Sequence, residues 1–136
     1  KKEYRVSFNE NFENVIESCS NIKRVGQKGT WITSGLKRSF NKLHEMGHAH
    51  SVEVWYQNVI IGGLYGLDLG NVFCGESMFS TKPNASKVAL YFLCQELKSN
   101  NYKLIDCQVP SEHLRSLGAE EISRNSFLEK LVNQSI

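Results

Sequence analysis

From residue 50 to residue 80 the apolar pattern takes a period of two, and this stretch restricts the fold more than any other. Val52, Val54 and Tyr56 alternate with Glu53 and Trp55, as in a strand whose successive side chains face opposite sides of a sheet. Gln57-Asn58 makes a turn, and VIIGGLYGL (59–67) returns as a second strand. DLGN (68–71) is another turn, and VFCGESMFS (72–80) a third strand. Connections this short join antiparallel neighbours, so the expected centre of the fold is an antiparallel meander. Gly62, Gly63, Gly66 and Gly75 lie inside these strands, where glycine marks a bulge or the close approach of a ligand to the backbone.

Helical periodicity flanks the meander. Tyr4 to Phe8 reads as a strand, and Phe12, Val15, Ile16 and Cys19 fall on one helical face, with Asn9 or Asn11 as its cap. After a polar loop over 20–30, Leu36, Phe40 and Leu43 line a second helix, capped by Ser34 and stopped by Gly47. PNASKVALYFLCQELKSNN predicts a long helix capped by Asn84, with Ala89, Leu90, Leu93, Cys94 and Leu97 as its stripe. KLIDCQV then reads as a buried strand, followed by a short helix ending at Gly118 and a closing helix over SFLEKLVNQ. The expected class is α/β (α+β), one sheet flanked by helices.

The length of 136 residues suits a single domain with a real core, expected over 1–136. No apolar run approaches the ~20 residues of a membrane span. Cys19, Cys74, Cys94 and Cys107 form no C-x-x-C pair; without a secretory signal they read as reduced thiols of a cytoplasmic protein. The net charge of +2 is uneven: residues 1–50 carry +4 and the remainder −2. Lys23, Arg24, Lys28, Lys37, Arg38 and Lys42 form a basic cluster, suited to a polyanion such as RNA or to a solvated surface.

His44-Glu45-Met46-Gly47-His48 fits H-E-x-x-H, with His50 close behind. A zinc protease needs both imidazoles on one helical face beside the glutamate. Gly47 stands where the apolar periodicity stops, so His48 is expected beyond the helix and His50 at the head of a strand. His44 then lies on a helix surface, and no metal site is expected.

TWIT (30–33), LHEMGHAHSVEVW (43–55), GGLYG (62–66), FCGESMFS (73–80), NASK (84–87), LIDCQV (104–109) and SLGAEEI (116–122) follow one another in this order. Together they resemble the leucyl/phenylalanyl-tRNA–protein transferases, over nearly the whole chain. The resemblance implies a GNAT-like acyltransferase fold with a mixed, mostly antiparallel sheet. It also implies transfer of Leu or Phe from aminoacyl-tRNA to proteins with N-terminal Arg or Lys, marking them for degradation in the N-degron pathway. No cofactor is implied, because the donor is itself an aminoacyl ester. Family members carry a further N-terminal domain that is not in this sequence: either the protein is naturally short or this chain is the C-terminal catalytic domain alone, and a monomer is expected.

Asp106 and Gln108 are two apart on a strand and share a face, opposite Ile105, Cys107 and Val109. A polar pair in an apolar strand is either a structural network or a catalytic pair. The resemblance implies the second: Asp106 orients or activates Gln108 and the incoming amine, and Gln108 holds that amine against the ester carbonyl. Glu76 reads as a strand carboxylate, and by resemblance belongs to the active site beside Gly75. A basic acceptor requires acidic partners, for which Glu76 and Asp106 are the candidates. By resemblance Leu64, Phe73, Met78, Leu93 and Ile105 line the donor's apolar pocket, although alternation puts Ile105 opposite Asp106 and composition alone makes all five plain core. Trp31 is a candidate to stack on the terminal adenine or a buried anchor. Asn84, Ser86 and Lys87 open a helix whose N-terminus attracts phosphate.

Two other readings compete. One is an RNA-binding module of this family without catalysis, which the trio Asp106, Gln108 and Glu76 disfavours. The other is an acetyl-CoA-dependent acetyltransferase, whose Gly-rich pyrophosphate turn neither NASK nor CGESMFS reproduces.

Overall fold

The computed structural model describes residues 3–21, 33–106 and Ser126. The expectations for Trp31, Cys107, Gln108, the basic residues 23–28 and the two C-terminal helices lie outside the described residues. The elements run β1 (Arg5–Phe8), α1 (Phe12–Ser20), α2 (Ser34–Glu45), β2 (Ala49–Tyr56), β3 (Val59–Asp68), β4 (Val72–Ser80), α3 (Ala85–Ser99) and β5 (Leu104–Asp106). The strands form one sheet in the order β1-β2-β3-β4-β5. The first three pairings are antiparallel and β4–β5 is parallel, with α3 as the crossover that a parallel pair requires. No described helix is long and apolar enough to cross a membrane.

The turns form as their residues dictate. Gln57 and Asn58 both take positive φ, 50° and 67°, the geometry of a two-residue hairpin turn that follows strand twist. In the next turn the Asp68 carboxylate accepts from Gly70 N–H at 2.9 Å and Gly70 has φ 102°. Asn11 caps α1 by accepting from Asn14 N–H at 3.2 Å.

Two caps differ from expectation. Thr33, one residue before Ser34, caps α2 by accepting from Leu36 N–H at 3.1 Å. Asn84 precedes α3 in the left-handed conformation, φ 68°, and its side chain caps nothing. Ser80 does so from the end of β4, its Oγ accepting from Ser86 N–H at 3.3 Å.

Helices cover both faces. Phe12, Val15, Ile16 and Cys19 of α1 and Phe40 of α2 pack on Ala49, Tyr65 and Phe79. On the other face Ala85, Ala89 and Leu93 of α3 pack on Val52, Val54, Ile61, Leu64 and Phe73. Gly62 seats the start of α3: a Cβ there would lie 2.5 Å from the Ala85 Cβ.

Because both faces are covered, the polar positions of β2 are buried too. Glu53 is fully buried and its carboxylate accepts four donors. Ser7 Oγ lies at 2.6 Å, Glu10 N–H at 3.1 Å and Asn11 N–H at 3.3 Å, and Ser51 Oγ is the fourth. Trp55 Nε1 donates to Ser7 Oγ at 2.8 Å.

β4 contains a bulge. Tyr65 pairs with Ser77, but the next residue of β3, Gly66, pairs with Gly75. Glu76 is therefore the extra residue. A Cβ on Gly66 would lie 2.2 Å from the Cys74 carbonyl oxygen and 2.7 Å from the Phe73 ring, so only glycine fits opposite the bulge. Gly66→Ala is expected to destabilise the fold by about 3 kcal/mol, the upper end for overpacking. Thermal unfolding checks this, and a melting temperature within about 2 °C of wild type would show that β4 yields at no cost.

Candidate active site

The parallel pairing of β4 and β5 aligns Phe73 with Ile105 and Cys74 with Asp106. Since side chains alternate, Asp106 shares the face of Cys74, and Ile105 that of Phe73. Cys74 Sγ lies 3.9 Å from Asp106 Oδ2. Burial pushes the Cys74 thiol up to about 11, and the charges of Asp106 and Glu76 add to this, with the hydrogen bond to Asp106. Tyr65, on the same face, is fully buried. Burial raises its ionisation well above the usual phenol range, and Cys19 and Glu76 raise it further. Thus Cys74, Tyr65, Asp106 and Glu76 converge where β4 bulges beside the last described residue of β5.

Cys74, Gly75, Glu76 and Asp106 are all half-buried. A Cβ on Gly75 would meet nothing closer than the Asp106 carbonyl oxygen at 3.8 Å. Packing of the described residues therefore does not demand glycine there, unlike at Gly66. A thiol and a phenol held neutral beside two carboxylates suit a cationic or amine-bearing group. Carboxylates in partly desolvated surroundings can also hold or accept its proton.

The five residues expected to line the apolar pocket all belong to one cluster beneath α3, on the opposite face. Phe73 and Met78 are five residues apart and would fall on opposite faces of a regular strand. The bulge at Glu76 puts both on the α3 side. Leu64, Phe73 and Leu93 are buried core, whereas Met78 and Ile105 are half-buried. Ile105 is thus placed opposite Asp106, as alternation required.

At the start of α3, Ser86 is buried and Lys87 exposed. Two of the first amides are already engaged: Ala85 N–H donates to the Lys82 carbonyl at 3.2 Å and Ser86 N–H to Ser80 Oγ. Ser80, Thr81, Lys82, Pro83, Asn84, Ser86 and Lys87 line an open cleft here. Of the basic cluster, Lys37 pairs with Glu17 at 3.1 Å.

The H-E-x-x-H stretch takes the expected helix end. α2 stops at Glu45, Gly47 has φ 87°, and His48 lies in the turn. His44 differs from the surface position expected of it: its ring stacks on Phe12 at 4.3 Å and its Nδ1 lies 2.9 Å from the Ala49 carbonyl. His50 lies 3.3 Å from Asp68 Oδ2 and 3.1 Å from Asn9 Nδ2.

Cys74 and Tyr65 were not singled out by sequence reasoning. Tyr65 lies in GGLYG and Cys74 in FCGESMFS, but the signal that marks them is their pairing with the bulge and with Asp106. The Asp106 charge helps hold the Cys74 thiol protonated, so Asp106→Asn should lower the Cys74 pKa below about 11. At mildly alkaline pH, Cys74 of this variant should alkylate several-fold faster than in wild type, followed by peptide mass spectrometry. Equal rates would mean that the two groups do not sense each other.

The family model described as leucyl/phenylalanyl-tRNA protein transferase matches residues 1–132. A leucyl/phenylalanyl-tRNA–protein transferase of Flavobacterium johnsoniae is 54% identical over 131 residues, covering 96% of this chain and 62% of that protein. The same enzyme of Flavobacterium psychrophilum is 52% identical, again over 96% of this chain and 62% of its own length. The chain thus spans about three-fifths of the length of these curated relatives. Among solved structures, an aminoglycoside acetyltransferase from an uncultured soil metagenomic sample superposes with a TM-score of 0.63 at 14% identity, covering 88% of this chain and 91% of that one. That likeness shows the fold, which is GNAT acetyltransferase-like. The chain belongs to the leucyl/phenylalanyl-tRNA protein transferase family.

Proposed function

We propose that this chain carries the catalytic centre of an aminoacyltransferase that moves Leu or Phe from aminoacyl-tRNA to the N-terminal Arg or Lys of an acceptor protein. The observation that carries the reading is the convergence of Asp106, Glu76 and Cys74 at the bulged edge of β4, in a chain of this family.

The reaction requires a neutral α-amine to attack an ester carbonyl. The C–O bond to the tRNA 3′ adenosine breaks, an amide bond forms, and the leaving ribose oxygen takes up a proton. Asp106 orients the amine and can take its proton, and its carboxylate together with Glu76 attracts the basic acceptor side chain. Gln108 acts as a positioner, since an amide is too weak a base to remove the proton unaided. No cofactor enters the scheme, because the ester is already activated.

Met78 and Ile105, the half-buried members of the apolar cluster, are the residues that first meet the donor's Leu or Phe side chain. Leu64, Phe73 and Leu93 form the wall behind them. Trp31 stacks on the terminal adenine, such contacts being worth ~1–3 kcal/mol per base. Lys87 and Ser86, with Gly75 beside the carboxylates, border the donor's 3′ end.

The start of α3 supports this reading over an acetyl-CoA enzyme. A pyrophosphate site there relies on unoccupied backbone N–H groups, and those of Ala85 and Ser86 already have partners.

Phe transfer from Phe-tRNA to a peptide beginning with Arg, with a Gly-initiated peptide as control, tests the proposal. Asp106→Asn is expected to lower Arg-dependent transfer by about 100-fold or more, the range for removing an acid–base group. Transfer that ignores the N-terminal residue, or that survives the substitution intact, would refute the assignment.

A further inference from the structure

Tyr65 carries a buried polar group that the described residues leave unpaired. Its ring is clamped edge-on by Phe12 at 5.8 Å and by Phe40 at 5.2 Å, and the residue is fully buried. Its hydroxyl has no hydrogen-bond partner among the described residues. Burying a hydroxyl unpaired costs free energy, and Phe would fill the same space without that cost. The cross-strand neighbours of Tyr65 are Ser51 and Ser77, and Ser51 Oγ is committed to Glu53.

The position of Tyr65 indicates a use. It stands directly before the register shift, so the bulged Glu76 lies across from the Tyr65–Gly66 step. The titratable groups whose charges reach Tyr65 are Cys19 on α1 and Glu76 on β4, and both hold the phenol in its protonated, donating form. Glu76 in turn acts on Cys74 of the same strand, which also faces Asp106 of β5. Tyr65 is therefore a neutral donor, fixed between two aromatic rings, on the strand across from a carboxylate whose charge reaches it.

We propose that Tyr65 is a positioning residue, whose hydroxyl donates to the Glu76 carboxylate when the acceptor's cationic side chain is bound and so fixes the direction in which Glu76 points. This rests on the reading of Glu76 as a partner of the basic acceptor. Tyr65 touches neither donor nor acceptor. It acts by restricting Glu76, which the bulge has taken out of the regular strand ladder. Ordering the carboxylate before transfer spares the bound state that conformational loss, so the effect falls on acceptor use and leaves donor binding unchanged.

Tyr65→Phe removes the oxygen alone and keeps the ring between Phe12 and Phe40. The melting temperature is expected to stay or rise. The kcat/KM for an Arg-initiated peptide should fall about tenfold, with the KM for Phe-tRNA unchanged. In a Glu76→Gln background the same change should have no further effect, because nothing remains for the hydroxyl to orient.

An arm independent of transfer follows the Glu76 carboxyl-carbon resonance by NMR at neutral pH while an Arg-initiated peptide is added. The resonance is expected to differ between wild type and Tyr65→Phe once the peptide is bound. Identical resonances with bound peptide would overturn the positioning role whatever the activity. So would additive kinetic losses in the double variant, or unchanged acceptor kinetics in an active wild type. If the resonance responds as expected while wild type transfers nothing, transfer by this chain alone fails and the positioning of Glu76 stands.

Discussion

The arrangement begins from one buried carboxylate. Glu53 sits at the centre of β2 and accepts from β1 through Ser7, from β2 through Ser51, and from the backbone at the entry to α1 through Glu10 and Asn11. A carboxylate at a helix N-terminus is favourably placed. One side chain thereby joins the edge strand, the sheet centre and the first helix. α1 then carries Phe12 and Cys19 over Tyr65, which lies beside the bulge. Loss of this anchor would leave several buried donors unmatched, a larger penalty than any one of the bonds is worth.

The sheet divides the functional groups by chemistry. The face beneath α1 and α2 carries Cys74, Asp106 and Tyr65, and the face beneath α3 carries the apolar set Leu64, Phe73, Met78, Leu93 and Ile105. In the proposed transfer, an ester donor with an apolar side chain and an acceptor with a cationic one would use such opposed surroundings. The proposed site lies between them at β4 and β5, where the described parallel ladder has three paired positions. The same edge holds Gly75, where the described packing leaves room for a side chain that the sequence does not supply.

Much of this was legible in the sequence. The β2–β3–β4 meander, with turns at Gln57-Asn58 and 68–71, follows from period-two patterning and residues that tolerate positive φ. α2 ends before His48 for the reason that Gly47 supplied. The caps were less legible. Ser80 reaches Ser86 only because the chain turns between β4 and α3, a path that no local pattern encodes. Glu53 reads as one polar member of an alternating strand, and its burial depends on helices packing against both faces. The pairing of Phe73 with Met78 on one face contradicts strict alternation until the register shift is known. Trp31 and Gln108 lie outside the described residues, and their roles rest on the sequence pattern and the family resemblance.

Without residue 76, the pairs Gly66–Gly75 and Tyr65–Ser77 become successive steps of an ordinary ladder, and no other side chain of β4 changes sides. The sheet is thus complete without its glutamate, which stands in it as an insertion. A single added codon is enough to plant an acid in the middle of a finished strand, provided that the residue across from it is glycine. Removing or adding a residue elsewhere in β4 would instead turn part of the strand over, exchanging its apolar and polar sides. A sheet of this kind can therefore acquire or lose a charged group at this point by a change in length, with its core left as it was.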